Sequence, residues 1–144
     1  MFQGYDPLTK SHACIVTDDL ERLRQNWNKY LGVKFTENWV MEGPAVVRGV
    51  DKGECKVLIA FADLGDQRVE FIQPLEGETQ EWEFLKNTHS GVHHIDPILP
   101  RLGSLDEHVK QWESRGIKAL QVDTKNRWAY MDTRELLGTV IELH

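Results

Sequence analysis

The chain repeats itself, and the repeat limits its fold more than any other feature. Ser11 to Thr17 is a β-favouring run containing His12; a helical pattern follows, then Gly32-Val33-Lys34. His94 opens a second such run, again followed by a helical pattern and then Gly116-Ile117-Lys118. Each half ends on a strand-like segment of matching text, Val69-Glu70-Phe71 and Ile141-Glu142-Leu143. Self-similarity on this scale means two copies of one supersecondary unit sharing a core. The expectation is an α+β chain of two β-α-β-β-β modules, about residues 11–73 and 91–144, with a linker helix at about 80–88. The modules form one domain, a half-barrel-like curved sheet with a central site.

Local signals place the elements. Asp18-Asp19 are N-cap candidates for a helix whose face is Leu20, Leu23, Trp27 and Leu31, closed by Gly32. Val33 to Met41 reads as extended and Gly43 to Gly53 as loop or edge, while Cys55 to Ala62 and Gln67 to Gln73 form a hairpin across Asp63-Leu64-Gly65-Asp66. Pro74 to Thr79 leaves the sheet before a short helix, Gln80 to Asn87. A strand at Val92 to Leu99 follows, then a helix capped by Ser104 with Leu105, Val109 and Trp112 inward. Ile117 to Val122, Arg127 to Thr133 and Leu137 to His144 are the last extended runs. Met1 to Lys10 reads as a polar arm, and Trp27, Trp82 and Trp112 as core.

Strand parity gives the repeat its chemistry. In regular strands, Ile15, Phe71, Ile95, Ile141 and Leu143 point away from His12, Glu70, His94 and Glu142. The apolar set packs under the helices, so the polar set shares the other face. A pseudo-twofold would bring its two imidazoles and two carboxylates together. That donor set suits a divalent metal such as Ni, Co, Mn, Fe or Zn. Four protein ligands leave two octahedral positions for a substrate, whose carbonyl the ion would polarise while Glu70 or Glu142 moves the neighbouring proton. Trp128, Tyr130 and Asp132 share one face of a late strand and are candidate pocket residues. His93 is expected on the opposite face in a structural role, and His89, His108 and His144 in solvated positions.

Composition excludes several alternatives. The net charge of −6, with no basic cluster, disfavours nucleic acid. No run approaches the ~20 apolar residues of a membrane span, and the N-terminus lacks a signal pattern, so a cytoplasmic protein is expected. Cys14 and Cys55 have neither CxxC spacing nor a disulfide framework and read as buried thiols. No phosphate-binding glycine loop, GxSxG or HExxH is present.

The segments His12-Ala-Cys-Ile-Val-Thr-Asp-Asp-Leu20, Glu70-Phe-Ile-Gln-Pro-Leu75, Gly91-Val-His-His-Ile95, Arg127-Trp-Ala-Tyr-Met-Asp-Thr133 and Gly138-Thr-Val-Ile-Glu-Leu143 resemble the vicinal oxygen chelate superfamily. That superfamily comprises glyoxalase I, methylmalonyl-CoA epimerases, extradiol dioxygenases and bleomycin-resistance proteins. The chain looks closest to its epimerase-like and glyoxalase I-like branch. The resemblance implies that His12, Glu70, His94 and Glu142 are the metal positions. It also implies a metal-dependent isomerase, epimerase or lyase acting on a small molecule, such as an acyl thioester or a small keto or hydroxy acid, and a homodimer. A glyoxalase I-type lactoylglutathione lyase and a non-catalytic small-molecule binder are the alternatives. Extradiol enzymes take three ligands from one module and bleomycin-resistance proteins generally lack the set, so four positions point away from both. The chain departs from the epimerases at Lys56, which aligns with their glutamate base, with Glu54 two residues away. Lys56 is accordingly a candidate for stabilising an oxyanion or binding a substrate carboxylate.

Overall fold

The computed structural model describes residues 10–100 and 103–144, so the expected arm, Met1 to Lys10, lies outside the described residues except for Lys10. Module 1 contains β1 (His12–Val16), α1 (Leu20–Leu31), β2 (Trp39–Val47), β3 (Val50–Leu64) and β4 (Gln67–Glu76). The linker helix α2 is Gln80–Asn87. Module 2 contains β5 (Gly91–Asp96), α3 (Leu105–Glu113), β6 (Ala119–Asp123), β7 (Trp128–Met131), the single turn α4 (Arg134–Leu137) and β8 (Val140–Leu143). No helix among the described residues is long and apolar enough to cross a membrane.

The strands are ordered β1-β4-β3-β2-β6-β7-β8-β5 and close into a barrel, where an open half-barrel was expected. Each module runs its first strand parallel to its last. The modules join twice, at the antiparallel pair β1–β5 and at a short β2–β6 contact, Val46 with Val122 and Val47 with Gln121. The second contact exists because β2 reaches further than its sequence suggests. Gly43 to Gly53 is not a loop. Met41, Gly43, Ala45 and Val47 alternate inward, and Arg48 (φ 48) and Gly49 (φ 78) make the two-residue turn of the β2–β3 hairpin. Pro44 is tolerated because the β2–β3 register shifts beside it. Pro74 likewise does not end β4, which continues to Glu76.

The helices form where their caps indicate. Asp19 accepts a hydrogen bond from the Arg22 N–H at 3.0 Å, and Gly32 at φ 65 terminates α1 in the left-handed conformation. Ser104 and Glu107 form a reciprocal capping box on α3. α1 lays Leu20, Leu23 and Trp27 on Phe71, Ala60 and Ala62; Leu31 falls off that face, at 61% exposed. α3 lays Leu105, Val109 and Trp112 on Ala129, Met131, Ile141 and Leu143. Because α3 covers β7 and β8, Ile95 on β5 remains 37% exposed and leaves the apolar set expected of it. Trp27, Trp82 and Trp112 are half-buried at the margins of these layers.

Inside the barrel, Cys14, Val16, Val57, Ile59, Phe61 and Ile72 pack from one side and Leu120, Trp128, Tyr130 and Val140 from the other. Gly43 secures the seam between the modules. A Cβ there would stand 2.4 Å from Asp123 Oδ2 and 2.7 Å from Asn126 Nδ2, so β2 meets the β6–β7 turn only without a side chain. Gly43→Ala is expected to cost about 1–3 kcal/mol, read as a lower urea midpoint at unchanged m-value. An unaltered midpoint would show that the seam yields freely.

Candidate metal centre

The β1–β5 register builds the site. His12 pairs with Asp96 and Cys14 with His94, so all four lie about one local twofold. Cys14 also pairs with Glu70 on β4, and Glu142 lies on β8 two residues past Val140, the partner of His94. Two equivalent triads result, Cys14-Glu70-His94 and His12-Asp96-Glu142, in each of which the donor atoms lie within 4.8 Å of one another.

His12, Glu70, His94 and Glu142 form a ring at their overlap. Glu70 Oε2 is 3.1 Å from His12 Nε2 and 3.7 Å from His94 Nε2; Glu142 Oε2 is 3.2 Å from His94 Nε2 and 4.0 Å from His12 Nε2. Donors on adjacent corners of a shell with ~2.1 Å bonds stand about 3 Å apart, so the ring has the dimensions of one cation. All four residues are buried. Among the described residues His94 Nε2 is buried without a hydrogen bond of good geometry, although it forms an ion pair with Glu142 Oε2 at 3.2 Å; a nitrogen so placed is free to serve the centre of the ring.

Charge supports the same reading. Burial depresses the His12 pKa, but the hydrogen bond and charge of Glu70 outweigh it and raise the imidazole to about 9. His94, opposed by burial and favoured by Cys14 and Glu142, is also held well above its ordinary value. Burial acts against ionised Glu70, yet both imidazoles hold it at about 2; Glu142 is raised because burial prevails. Left to themselves, these carboxylates recruit two imidazolium charges, the charge one divalent ion carries.

The ring nitrogens are oriented from behind. His12 Nδ1–H donates to Lys10 O at 3.1 Å, leaving Nε2 to face the ring. His94 Nδ1 lies 2.9 Å from His93 Nδ1. Burial, with His94 beside it, pushes His93 down to about 3, so neutral His93 accepts from His94 Nδ1–H. His93 does not face away as parity predicts: the β1–β5 register skips it between the pairs Cys14–His94 and Ile15–Val92. This bulge turns the ring inward, between Phe84 and Tyr130.

His12, Glu70 and Glu142 of the ring floor a cavity of about 310 Å³, with His94 fully buried behind them; its walls are Trp39, Met41, Ile59, Phe61 and Trp128, with Asn126, Arg127 and His144 at its edge. Of the three candidate pocket residues, Trp128 lines the cavity. Tyr130 lies deeper, its ring 4.7 Å from His94 and its hydroxyl donating to Glu81 Oε1 at 2.6 Å. Asp132 lies past the end of β7, where parity lapses, and takes both Arg134 hydrogen bonds at 2.8 Å. Lys56 is not brought to the ring: Nζ lies 3.3 Å from Glu76 and 3.8 Å from Glu42, and Ile59 and Phe61 are the β3 residues at the cavity.

The sequence reading missed Asp96, which is fully buried with Oδ2 3.7 Å from His12 Nε2. It stands two residues after His94, as Cys14 stands two after His12, so parity contained the signal. His144 is not simply solvated; its Nε2 donates to Asp96 Oδ2. His108 is buried on α3 against Trp112, whereas His89 is exposed.

Known proteins share this architecture. Residues 11–131 match the family described as the Glyoxalase/Bleomycin resistance protein/Dioxygenase superfamily. The Bacillus subtilis (strain 168) protein YqjC is 25% identical over 140 residues, which is 92% of this chain and 88% of YqjC. Methylmalonyl-CoA epimerase from Mycobacterium tuberculosis superposes with TM-score 0.61 at 18% identity, over 92% of this chain and 83% of that one. A variant of the Streptomyces coelicolor methylmalonyl-CoA epimerase, in complex with 2-nitronate-propionyl-CoA, gives TM-score 0.62 at 17% identity, over 92% and 90%. With a family match running from β1 through β7, and the duplicated barrel behind it, the chain belongs to the glyoxalase/bleomycin resistance/dioxygenase, or vicinal oxygen chelate, superfamily.

Proposed function

We propose that the protein is a divalent-metal-dependent isomerase or epimerase that transfers a proton beside a substrate carbonyl. The observation that carries this reading is the ring of four buried donors, two imidazole and two carboxylate, under an apolar cavity of about 310 Å³. His12, Glu70, His94 and Glu142 would hold the ion, of the Ni, Co, Mn, Fe or Zn kind. When bound, the ion supplies positive charge that polarises the carbonyl oxygen and acidifies the adjacent carbon.

The chain's own residues do the remainder. His93 and Lys10 O hold the ligand imidazoles in the tautomer and plane that direct Nε2 inward. Trp39, Met41, Ile59, Phe61 and Trp128 exclude water from the reacting carbon, which strengthens electrostatic interactions there. With Lys56 outside the cavity, Glu70 and Glu142 are the groups placed to accept and return the proton. The similar structures are methylmalonyl-CoA epimerases, which makes that thioester one substrate to try among small 2-substituted thioesters and keto or hydroxy acids.

The deciding experiment is proton NMR of such substrates in deuterated water with metal-loaded protein. Loss of the α-hydrogen signal, abolished by a chelator and restored by the metal, is expected; binding without exchange across the panel would make the protein a binder. At saturating metal, Glu70→Gln or Glu142→Gln should slow exchange by about 10²–10⁴-fold, and wild-type exchange in both variants would remove the carboxylates from the proton path. His93→Phe keeps the ring packing but loses the acceptor. It should weaken metal affinity about 10–100-fold, measured by competition with a chromophoric chelator; unchanged affinity would refute the orienting role.

A further inference from the structure

We propose that the edge of the cavity carries an anion subsite built on Arg127, and that the substrate is a small acid whose carboxylate is held there while its carbonyl end reaches the ring. The inference rests on the proton-transfer reading and adds the substrate class to it. Arg127 lines the cavity, and among the described residues its guanidinium has no ion-pair or hydrogen-bond partner. Arg48 is engaged with Glu83, Arg68 with Asp63 and Arg134 with Asp132, whereas Arg22 and Arg115, which like Arg127 pair with no side chain among the described residues, do not line the cavity. A planar guanidinium left open beside a cavity is suited to two-pronged recognition of a carboxylate.

The backbone beneath it is held in place. Arg127 adopts φ 65, a left-handed conformation unfavourable for a side chain of this type. Asp123 imposes it, with Oδ1 accepting from the N–H groups of Lys125 and Asn126 and its carbonyl accepting from that of Arg127. Asn126 Nδ2 then donates to Glu42 O at 2.9 Å across the Gly43 contact. This turn, locked to β2, puts the guanidinium stem at the cavity edge before any ligand arrives.

A second observation points to a ligand oxygen at this edge of the cavity, and the charge of the lining sets a condition on an acidic ligand. Trp128, the next residue, is 6% exposed in the cavity wall, and its Nε1–H is buried without an acceptor among the described residues. A ligand oxygen would satisfy it. The floor of the cavity also carries Glu70 and Glu142. In a chain of net charge −6, an acid entering this space needs a compensating cation at the edge, and Arg127 is the one lysine or arginine among the residues lining it, beside the imidazoles of His12 and His144.

The test uses levulinate, which carries a ketone and a remote carboxylate, against its uncharged methyl ester. Binding is followed by the indole N–H resonance of Trp128, identified by its absence in Trp128→Phe. Wild-type, metal-loaded protein is expected to prefer the acid by about tenfold or more. The preference should fall to about one in Arg127→Met, be partly kept in Arg127→Lys, and shrink with added salt. Preference retained in Arg127→Met, equal binding of acid and ester by wild-type, or binding of neither overturns the proposal. The titration is repeated in chelator. A preference that persists there and depends on Arg127 upholds the subsite even if the ring proves to hold no ion. Its absence from protein that does hold the ion defeats the subsite and leaves the metal reading intact.

Discussion

The antiparallel pairing of β1 with β5 is the constraint on which the rest depends. Its register sets His12 opposite Asp96 and Cys14 opposite His94, and this places the local twofold inside the barrel. Each module then lays its last strand parallel to its first, which adds Glu70 from β4 and Glu142 from β8. A one-residue slip would turn every one of these groups to the other face. The bulge at His93 absorbs one extra residue without disturbing the pairing of His94.

The barrel divides its interior by polarity. One part is apolar, from Cys14, Val16 and Ile72 across to Leu120 and Val140, and supplies the burial that stabilises the fold. The other gathers carboxylates and imidazoles out of water, which is costly unless they are paired. They are paired: His12 with Glu70, His94 with Glu142, and Asp96 with His144. A charged cluster of this density is poor structural economy and is consistent with a chain organised for cation chemistry. Closure through β2 and β6 leaves neither strand with a wholly unpaired edge and fixes the Asp123–Arg127 turn above the cavity.

Much of this was legible in the residues. The repeat and strand parity identified His12, Glu70, His94 and Glu142, and the structure brings these four side chains together. The caps located α1 and α3, because Asp19, Gly32 and Ser104 act on their own neighbours. What escaped depends on longer-range geometry. His93 turns inward through a bulge that no local pattern announces. Gly43 to Gly53 looked like a loop because its glycines and proline serve a hairpin turn, a register shift and a close approach to Asp123. Lys56 and Asp132 matched by alignment and spacing, but their charged ends found Glu76 and Arg134 outside the cavity. Asp96 was legible too: it stands in the second half where Cys14 stands in the first, and strand parity carried through the repeat reaches it.

The account stands on a single ion being shared by both modules. X-ray absorption of the cobalt-loaded protein at the metal edge addresses this directly. Two imidazole scattering patterns are expected with oxygen neighbours, at bond lengths of about 2.0–2.2 Å, one pattern being lost in His12→Ala and one in His94→Ala. A spectrum of oxygen neighbours alone, or one imidazole pattern untouched by either substitution, would contradict a ring built from the two halves of the chain.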